Sequence, residues 1–238
     1  MLRLTNLKLP LDHSEQDLKA AILKKLRLPA DALISHTVFK RSYDARKRGA
    51  IALVYTVDIE TPRQLQLLKR FKKDPHVQPT PDTRYHYAAH VLPDGAREGK
   101  TFKRPLVIGN GPCGMFAGLL LAQMGFQPII LERGKAVHER SVDTFGFWSK
   151  GKFKPESNAQ FGEGGAGTFS DGKLYSRIKD PHYRARKVLT ELVNAGAVPE
   201  ILYINKPHIG TYRLVKIVEQ IRHTIESLGG EIRFQQRV

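Results

Sequence analysis

The chain has little cysteine and lacks long apolar runs. Cys113 is the single cysteine among 238 residues. An internal disulfide is therefore excluded, which fits a reducing compartment. No stretch approaches the ~20 consecutive apolar residues that a membrane-spanning helix needs, and residues 1–15 lack the apolar core of a signal peptide. These absences predict a cytoplasmic chain without a membrane span.

Signals of several catalytic classes are also missing. No Ser/His/Asp nucleophile motif and no paired carboxylate site stands out in the sequence. His86 and His90 are four residues apart, but no neighbouring acid or cysteine completes a ligand set for a metal. We therefore predict no metal site and assign no catalytic residue.

Basic residues are in excess along the whole chain. The formal net charge is +16, and residues 1–100 hold 19 Lys/Arg against 11 Asp/Glu. The remaining residues hold 20 against 12, so both parts carry the same excess of +8. An even spread is more typical of a solvated surface than of a nucleic-acid-binding stripe, and it favours anionic ligands.

The most informative stretch is RPLVIGNGPCGMFAGLLLAQMGFQPIILERG, residues 104–134. A short apolar strand is predicted at its start, followed by a tight turn with GxGxxG spacing. An apolar helix pattern runs over Pro112–Met124, and a second strand over Ile129–Leu131 ends at Glu132. This order of strand, glycine turn, helix, strand and acid predicts a bound dinucleotide.

Each residue of this motif has a physical reason. Gly109 permits the tight turn, Gly111 lets the backbone approach a pyrophosphate, and Gly114 lets helix and strand pack closely. Pro112 suits the first helical turn, where an N–H has no partner within the helix. Glu132 is placed to accept hydrogen bonds from ribose hydroxyls.

A second glycine-rich stretch is SNAQFGEGGAGTFSDGKLYSR. So many glycines lose much chain entropy on folding, and the usual reason is positive φ or close approach of the backbone to a ligand. Thr168 and Lys173 can supply directional hydrogen bonds there. A flexible surface loop is the alternative, which we favour less because Phe161, Phe169 and Leu174 can anchor the stretch on a core.

An aromatic cluster lies between the two glycine-rich stretches and contains Phe145, Phe147, Trp148 and Phe153. Such a cluster can wall a cofactor, but dense aromatic clusters are more often core packing. We expect these rings to be buried in the core.

Residues 1–90 predict a small α+β domain of ferredoxin-like type, with the order strand, helix, hairpin, helix. Ser14 and Asp17 form a capping-box pattern for the first helix. The second helix is predicted over Pro62–Lys72 with Thr61 as its cap, and its expected core face is Leu65, Leu68 and Phe71. Residues 91–104 are the predicted linker, and residues 105–238 form the second domain.

The hairpin tip of this first domain is basic and suggests a different function. Arg41, Arg46, Lys47 and Arg48 would contact phosphates if the domain bound RNA. No aromatic motif for base stacking accompanies them, so nucleic acid is not the partner that we expect.

The strings GNGPCGMFAGLLLAQMG, ILERG and QFGEGGAGTFSDGKL together resemble a family of uncharacterised bacterial FAD-dependent dehydrogenases, similar to the glutathione-reductase-like flavoprotein class. The resemblance implies FAD as the cofactor, with the backbone of Gly164–Thr168 near the pyrophosphate or the flavin. The predicted cofactor-binding residues are Gly109, Gly111, Pro112, Gly114, Glu132, Arg133, Gly164, Gly165, Gly167, Thr168 and Lys173.

The resemblance also implies that residues 105–238 form an α/β, FAD-binding Rossmann-like parallel sheet. A helix over residues 211–228, capped by Thr211, is expected to lead into a third parallel strand, Glu231–Val238. Because the chain stops within that strand and family members are roughly twice as long, we expect an incomplete domain and the N-terminal part of a flavoprotein oxidoreductase.

Partners and alternatives follow from the same resemblance. A small-molecule redox substrate and NAD(P)H as electron donor would be bound through the remaining part of such a protein. Two alternatives stay open: an NAD(P)-binding Rossmann protein, and a basic nucleic-acid-binding module with a vestigial dinucleotide site. The substrate and the oligomeric state are not predicted.

Overall fold

The computed structural model describes residues 1–47, 49–91, 103–176 and 178–238. Within these ranges the chain forms two compact units. The first unit is Met1–Thr83 with Glu200–Pro207, and the second is Arg84–Pro199 with His208–Val238. The basic hairpin residue Arg48 and most of the predicted linker 91–104 lie outside the described residues.

The first unit contains an antiparallel four-stranded sheet with two helices. Its strands follow the order β2-β3-β1-β4 across the sheet, with antiparallel pairing throughout. The elements are β1 (Leu2–Pro10), α1 (Glu15–Leu26), β2 (Ser35–Asp44), β3 (Ala52–Glu60), α2 (Gln64–Arg70) and β4 (Val77–Pro79).

Helix α1 forms as the sequence predicts. The Ser14 hydroxyl accepts a hydrogen bond from the Asp17 N–H, and the Asp17 carboxylate accepts one from the Ser14 N–H, which satisfies two N–H groups at the helix start. Leu18, Ile22 and Leu26 are buried against the sheet core. The repeat of apolar residues every three to four positions therefore places one helix face on the sheet.

Helix α2 differs from the prediction in length, capping and face. It begins at Gln64, and no side chain caps it. The Thr61 hydroxyl instead accepts a hydrogen bond from the Arg63 N–H at 3.3 Å, which belongs to the turn before the helix. Of the expected core face, Leu68 and Phe71 pack against the hydrophobic core, but Leu65 is 74% exposed, and Leu67 is buried in its place.

The second unit contains a separate parallel sheet of three short strands in the order β5-β6-β7. Leu106 pairs with Ile129, and Ile129 pairs with Glu231 on its other side. The elements are β5 (Leu106–Ile108), α3 (Pro112–Gln123), β6 (Ile129–Leu131), α4 (Val137–Lys150), α5 (Arg184–Asn194), α6 (Thr211–Ser227) and β7 (Glu231–Arg233). The whole chain is therefore a mixed α/β protein.

The last strand is shorter than the predicted Glu231–Val238. Strand β7 ends at Arg233, and Gln235 adopts a positive φ of 58°. The Gln235 N–H then donates to the Gly134 carbonyl oxygen at 3.0 Å. The Gln236 N–H donates to the Glu132 carbonyl oxygen at 2.9 Å, so the residues after β7 stay hydrogen-bonded to the chain that follows β6. The predicted bounds of the last strand were therefore too long.

The start of α6 also differs from the prediction, because Gly210 occupies the cap position. The Thr211 hydroxyl donates a hydrogen bond to the Ser170 carbonyl oxygen at 2.6 Å. Thr211 therefore fastens a neighbouring loop to the helix instead of capping it.

The aromatic cluster is not core packing, contrary to the expectation. Phe145, Trp148 and Phe153 are 51%, 56% and 57% exposed. The buried face of α4 is formed by other residues, among them Arg140 and Asp143. The exposed rings contact one another edge to face, Phe145 with Trp148 and Phe147 with Phe153.

No helix in the described part of the chain combines the length and the apolar character that crossing a membrane requires.

A comparison of two helical glycines tests the packing of α3 on the parallel sheet. A Cβ on Gly118 would lie 2.3 Å from the buried Ile130 Cδ1, whereas a Cβ on Gly146 of α4 meets nothing within 4 Å. We expect Gly118→Ala to lower the free energy of unfolding of the second unit by ~1–3 kcal/mol through overpacking. Gly146→Ala should raise it by ~0.5–1 kcal/mol.

Urea unfolding followed by Trp148 fluorescence measures this difference, because Trp148 is the single tryptophan of the chain and lies in the second unit. Equal stability of the two variants would contradict the close approach of α3 to β6.

Candidate functional site

A cavity of about 360 Å³ lies at the carboxyl ends of strands β5 and β6. Its lining includes the last residues of those strands, Ile108 and Leu131, together with glycines of both predicted stretches. In open parallel α/β sheets, ligands bind outside the carboxyl ends of the strands. The position of this cavity therefore matches the place that the glycine motif predicted.

The first glycine loop, residues 109–114, connects β5 to α3. Gly109 adopts a φ of +89°, which residues other than glycine rarely adopt. A Cβ on Gly114 would lie 1.9 Å from the Gly109 carbonyl oxygen. The structure thus gives these two glycines the roles of turn and close packing that their spacing predicted.

Gly111 is the glycine of this loop that borders open space. Its φ of −74° is available to any residue, and the nearest atom to an added Cβ is the Gly165 Cα at 3.9 Å. Gly111 lines the cavity. A side chain here would consequently enter the cavity without straining the backbone.

The start of α3 is open to an anion. Gly111 is the cap residue and Pro112 lies in the first turn, and no side chain caps the helix. The N–H groups of Cys113 and Gly114 belong to the first turn, where the helix supplies no acceptor. These N–H groups and the positive end of the helix dipole favour a negatively charged ligand.

Glu132 follows β6 and braces the first glycine loop. It is 4% exposed and lines the cavity. Its Oε2 accepts a hydrogen bond from the Asn110 N–H at 2.7 Å, and its Oε1 accepts one from the Gly134 N–H at 2.8 Å. A carboxylate oxygen has a second lone pair, so Glu132 retains capacity for a ligand hydroxyl. Sequence reasoning missed the bracing role.

The second glycine loop, residues 161–172, packs directly on the first. The Gly164 N–H donates to the Asn110 carbonyl oxygen at 2.8 Å. A Cβ on Gly165 would lie 3.0 Å from Pro112 Cδ and 3.1 Å from Gly111 Cα. Because Gly165 also lines the cavity, the structure unites the two predicted stretches at one site.

The neighbouring residues of the second loop support it from behind. Thr168 is 1% exposed, and its hydroxyl donates to the Glu163 carbonyl oxygen at 3.4 Å. A Cβ on Gly167 would lie 3.9 Å from Pro112 Cγ, in ordinary contact. Gly167 and Thr168 therefore lie near the site, but unlike Gly165 they do not line the cavity.

Arg133 and Lys173, the two predicted basic residues, differ in position. The Arg133 guanidinium lies 3.8 Å from the Phe161 ring centroid, donates to Glu156 at 2.8 Å and lines the cavity. Lys173 is exposed and forms an ion pair with Asp171 at 3.1 Å, and it is not a lining residue of this cavity. A contact of Lys173 with a cofactor stays a prediction.

Two buried charged residues of the site were missed at the sequence level. Glu163 is fully buried, and its carboxylate accepts hydrogen bonds from the Val137 N–H at 2.7 Å and from Arg222 at 2.9 Å. Burial raises the pKa of Glu163, although both donors oppose this shift. Arg140 is also fully buried. Arg140 lies in a helical pattern, where an isolated charge indicates solvent exposure, and Glu163 lies in the glycine-rich stretch, which has no periodicity. The sequence therefore held no signal for the burial of either residue.

Asp143 fastens α4 to the segment before the second loop. Its carboxylate, 5% exposed, pairs with Lys135 at 2.9 Å and Lys154 at 2.6 Å. Burial by itself would raise the pKa of Asp143, but the interactions with Lys154 and Lys135 outweigh it, and the pKa lies at about 2. The Asp143 carboxylate is therefore charged in the folded protein near neutral pH.

Comparisons with known proteins give similarity without a function. The family described as a domain of unknown function (DUF8436) matches residues 1–60. A protein of Clostridium beijerinckii, described as uncharacterized, is 40% identical over 239 residues. The match covers 100% of this chain and 43% of that relative, so the chain spans less than half of the relative's length. Neither description names a cofactor, and the resemblance to FAD-dependent dehydrogenases stays a prediction.

The low pKa of Asp143 predicts that its contribution to stability is lost at acidic pH. A carboxyl whose pKa is lowered by folding stabilises the protein above its ordinary pKa of 3.8 and loses that contribution as the pH falls to about 2. We expect the stability difference between wild type and Asp143→Asn to shrink by roughly 2 kcal/mol over this interval.

Urea unfolding followed by Trp148 fluorescence at several pH values measures the difference, with Asp31→Asn as an exposed control. A stability difference that stays constant from near neutral pH down to about pH 2 would show that the Asp143 pairs contribute nothing.

Proposed function

We propose that the chain binds FAD through the adenosine diphosphate half of the cofactor, and that it forms part of a flavin-dependent oxidoreductase. The observation that carries this proposal is the cavity where Gly109 and Gly111, the acid Glu132 and the second glycine loop meet. All of these groups lie at the carboxyl ends of parallel strands, the general position of dinucleotide sites.

The pyrophosphate would lie at the start of α3. The uncapped first turn offers N–H donors, and because Gly111 has no Cβ, the space next to its Cα stays open. Gly165 borders the same space from the second loop. These features fit a diphosphate, whose oxygens need several donors at short range.

The adenosine would lie toward Glu132 and Arg133. Glu132 keeps lone pairs for the ribose hydroxyls, and the Arg133 guanidinium with the Phe161 ring offers a planar surface for a base. The cavity volume of about 360 Å³ is at the small end of the ~300–1,000 Å³ range of ligand sites. This volume suits the adenosine diphosphate half, and we assign no position to the flavin ring.

The choice of FAD rests on the resemblance of both glycine-rich strings to FAD-dependent dehydrogenases. When bound, a flavin supplies the hydride and electron chemistry, and the protein supplies position and charge. NAD(P)H as donor and a small-molecule redox substrate belong to the proposal for the longer protein, as does a cytoplasmic location. An NAD(P)-binding protein is the alternative that a flavin spectrum distinguishes.

We further infer a more specific fold class for each of the two units. The order β5-β6-β7, with α3 between its first two strands and α6 leading into its third, supports the first part of an FAD-binding Rossmann-like domain. The order β2-β3-β1-β4 supports a ferredoxin-like first unit. The hairpin tip gives little support for nucleic acid, because Arg46 pairs with Asp44 at 2.8 Å.

Purified protein should bind FAD and show the flavin absorption band near ~450 nm. Gly111→Val should weaken binding by ~1–3 kcal/mol, because a branched side chain would overfill the diphosphate position. Titration with FAD, followed by flavin fluorescence, measures the affinity. Gly146→Ala is the control, since that glycine lies away from the cavity and faces open space.

An unchanged affinity for FAD in folded Gly111→Val would contradict the assignment of the diphosphate position. Tight binding of NAD(P)H with no affinity for FAD would replace the flavoprotein proposal by the alternative. The Gly111 backbone permits the change, so a folding defect is not expected to obscure the result.

A further inference from the structure

Arg140 of α4 carries a charge that has no exposure to solvent. Its Nε donates to the Asn158 carbonyl oxygen at 2.8 Å, one terminal nitrogen donates to the Glu163 carbonyl oxygen and the other to the Ala159 carbonyl oxygen at 2.9 Å. A guanidinium offers several N–H donors in a fixed plane. Arg140 therefore satisfies three backbone carbonyl groups, two in the segment that leads into the second glycine loop and one within the loop.

The stem of Arg140 also contacts that loop. A Cβ on Gly162 would lie 2.4 Å from Arg140 Cδ, and a Cβ on Gly134 would lie 2.5 Å from Gly162 Cα. Gly134 in turn donates its N–H to Glu132. A continuous set of close contacts thus runs from Arg140 through Gly162 to the acid at the cavity.

Burying the Arg140 charge is unfavourable unless hydrogen bonds satisfy the guanidinium. Burial lowers the pKa of Arg140 to about 10, while the carboxylates of Glu132 and Glu163 oppose that shift. A buried charge is tolerated where hydrogen bonds satisfy it, and here backbone carbonyl groups supply those bonds. The ring of Phe169, a residue of the second glycine loop, adds a cation–π contact, with its centroid 4.8 Å from the guanidinium carbon.

We propose that Arg140 is a positioning residue that holds the second glycine loop against the first, so that Gly165 stays at the mouth of the dinucleotide cavity. This inference rests on the proposed function for its ligand, but the effect on the loop is independent of any ligand. Without the guanidinium, the carbonyl groups of Asn158 and Ala159 would lose this donor, and that of Glu163 would keep the Thr168 hydroxyl at 3.4 Å. The loop would then open to water to satisfy these groups.

Three variants test this role. Arg140→Met removes all donors at similar stem length, and Arg140→Lys keeps the charge with a different donor geometry. The matched control is Arg3→Met in the first unit, where another buried arginine pairs with Asp58 at 2.7 Å and stacks on Phe39 at 3.6 Å. Hydrogen exchange of backbone amides without ligand and the Kd for FAD are measured for each variant.

We expect Arg140→Met to exchange faster in residues 157–168 and to bind FAD roughly tenfold more weakly, because binding must then order the loop. Arg140→Lys should show a smaller change of both kinds. Arg3→Met should lose stability in the first unit while its exchange in residues 157–168 and its Kd for FAD stay at the wild-type values.

Wild-type exchange and wild-type affinity in folded Arg140→Met would overturn the inference. If that variant does not fold, the same result in Arg140→Lys would overturn it. If the wild-type protein binds no FAD, the proposed function fails, and faster exchange of residues 157–168 in the variants still decides in favour of the positioning role.

Discussion

The structure of the site depends on one constraint, which is that two glycine loops pack backbone against backbone. Gly165 approaches Gly111 and Pro112 so closely that a single Cβ would be in tight contact with both. The hydrogen bond from Gly164 to Asn110 fixes the two loops in register. At Gly111 and Gly165, which both line the cavity, neither loop places a side chain into the space at the carboxyl ends of the parallel strands.

Buried charges brace these loops, and hydrophobic packing alone would not replace them. Backbone groups that turn sharply in the interior need partners, and short loops cannot supply enough of them from within. Glu132 and Glu163 accept from backbone N–H groups, while Arg140 donates to backbone carbonyl groups. The side chains of one region thus satisfy both polarities of the backbone, which explains why three ionisable groups are buried close to one another.

Local patterns predicted the elements that local physics controls. The capping box of α1, the bounds of α3 and the strand Ile129–Leu131 were confirmed, because capping, glycine spacing and apolar runs act within a few residues. The predictions for α2 and for the aromatic rings after residue 144 were wrong. In α2 the inward face includes Leu67 instead of Leu65, and in α4 the buried face holds Arg140 and Asp143 instead of the rings. Periodicity alone does not report which side of a helix packs inward.

The sequence by itself determined where the chain turns, which helix begins at a glycine loop, and which acid follows the second strand of the parallel sheet. These features depend on residue type and spacing, and they specified Gly109, Gly111 and Glu132 as one group. The family resemblance implied that Gly164–Thr168 lie near the same ligand, but only the tertiary structure decided which residues of that stretch line the cavity and that Arg140 and Glu163 are buried next to it. The reason is that these contacts join segments far apart in the chain, where burial and hydrogen-bond geometry depend on the folded neighbours.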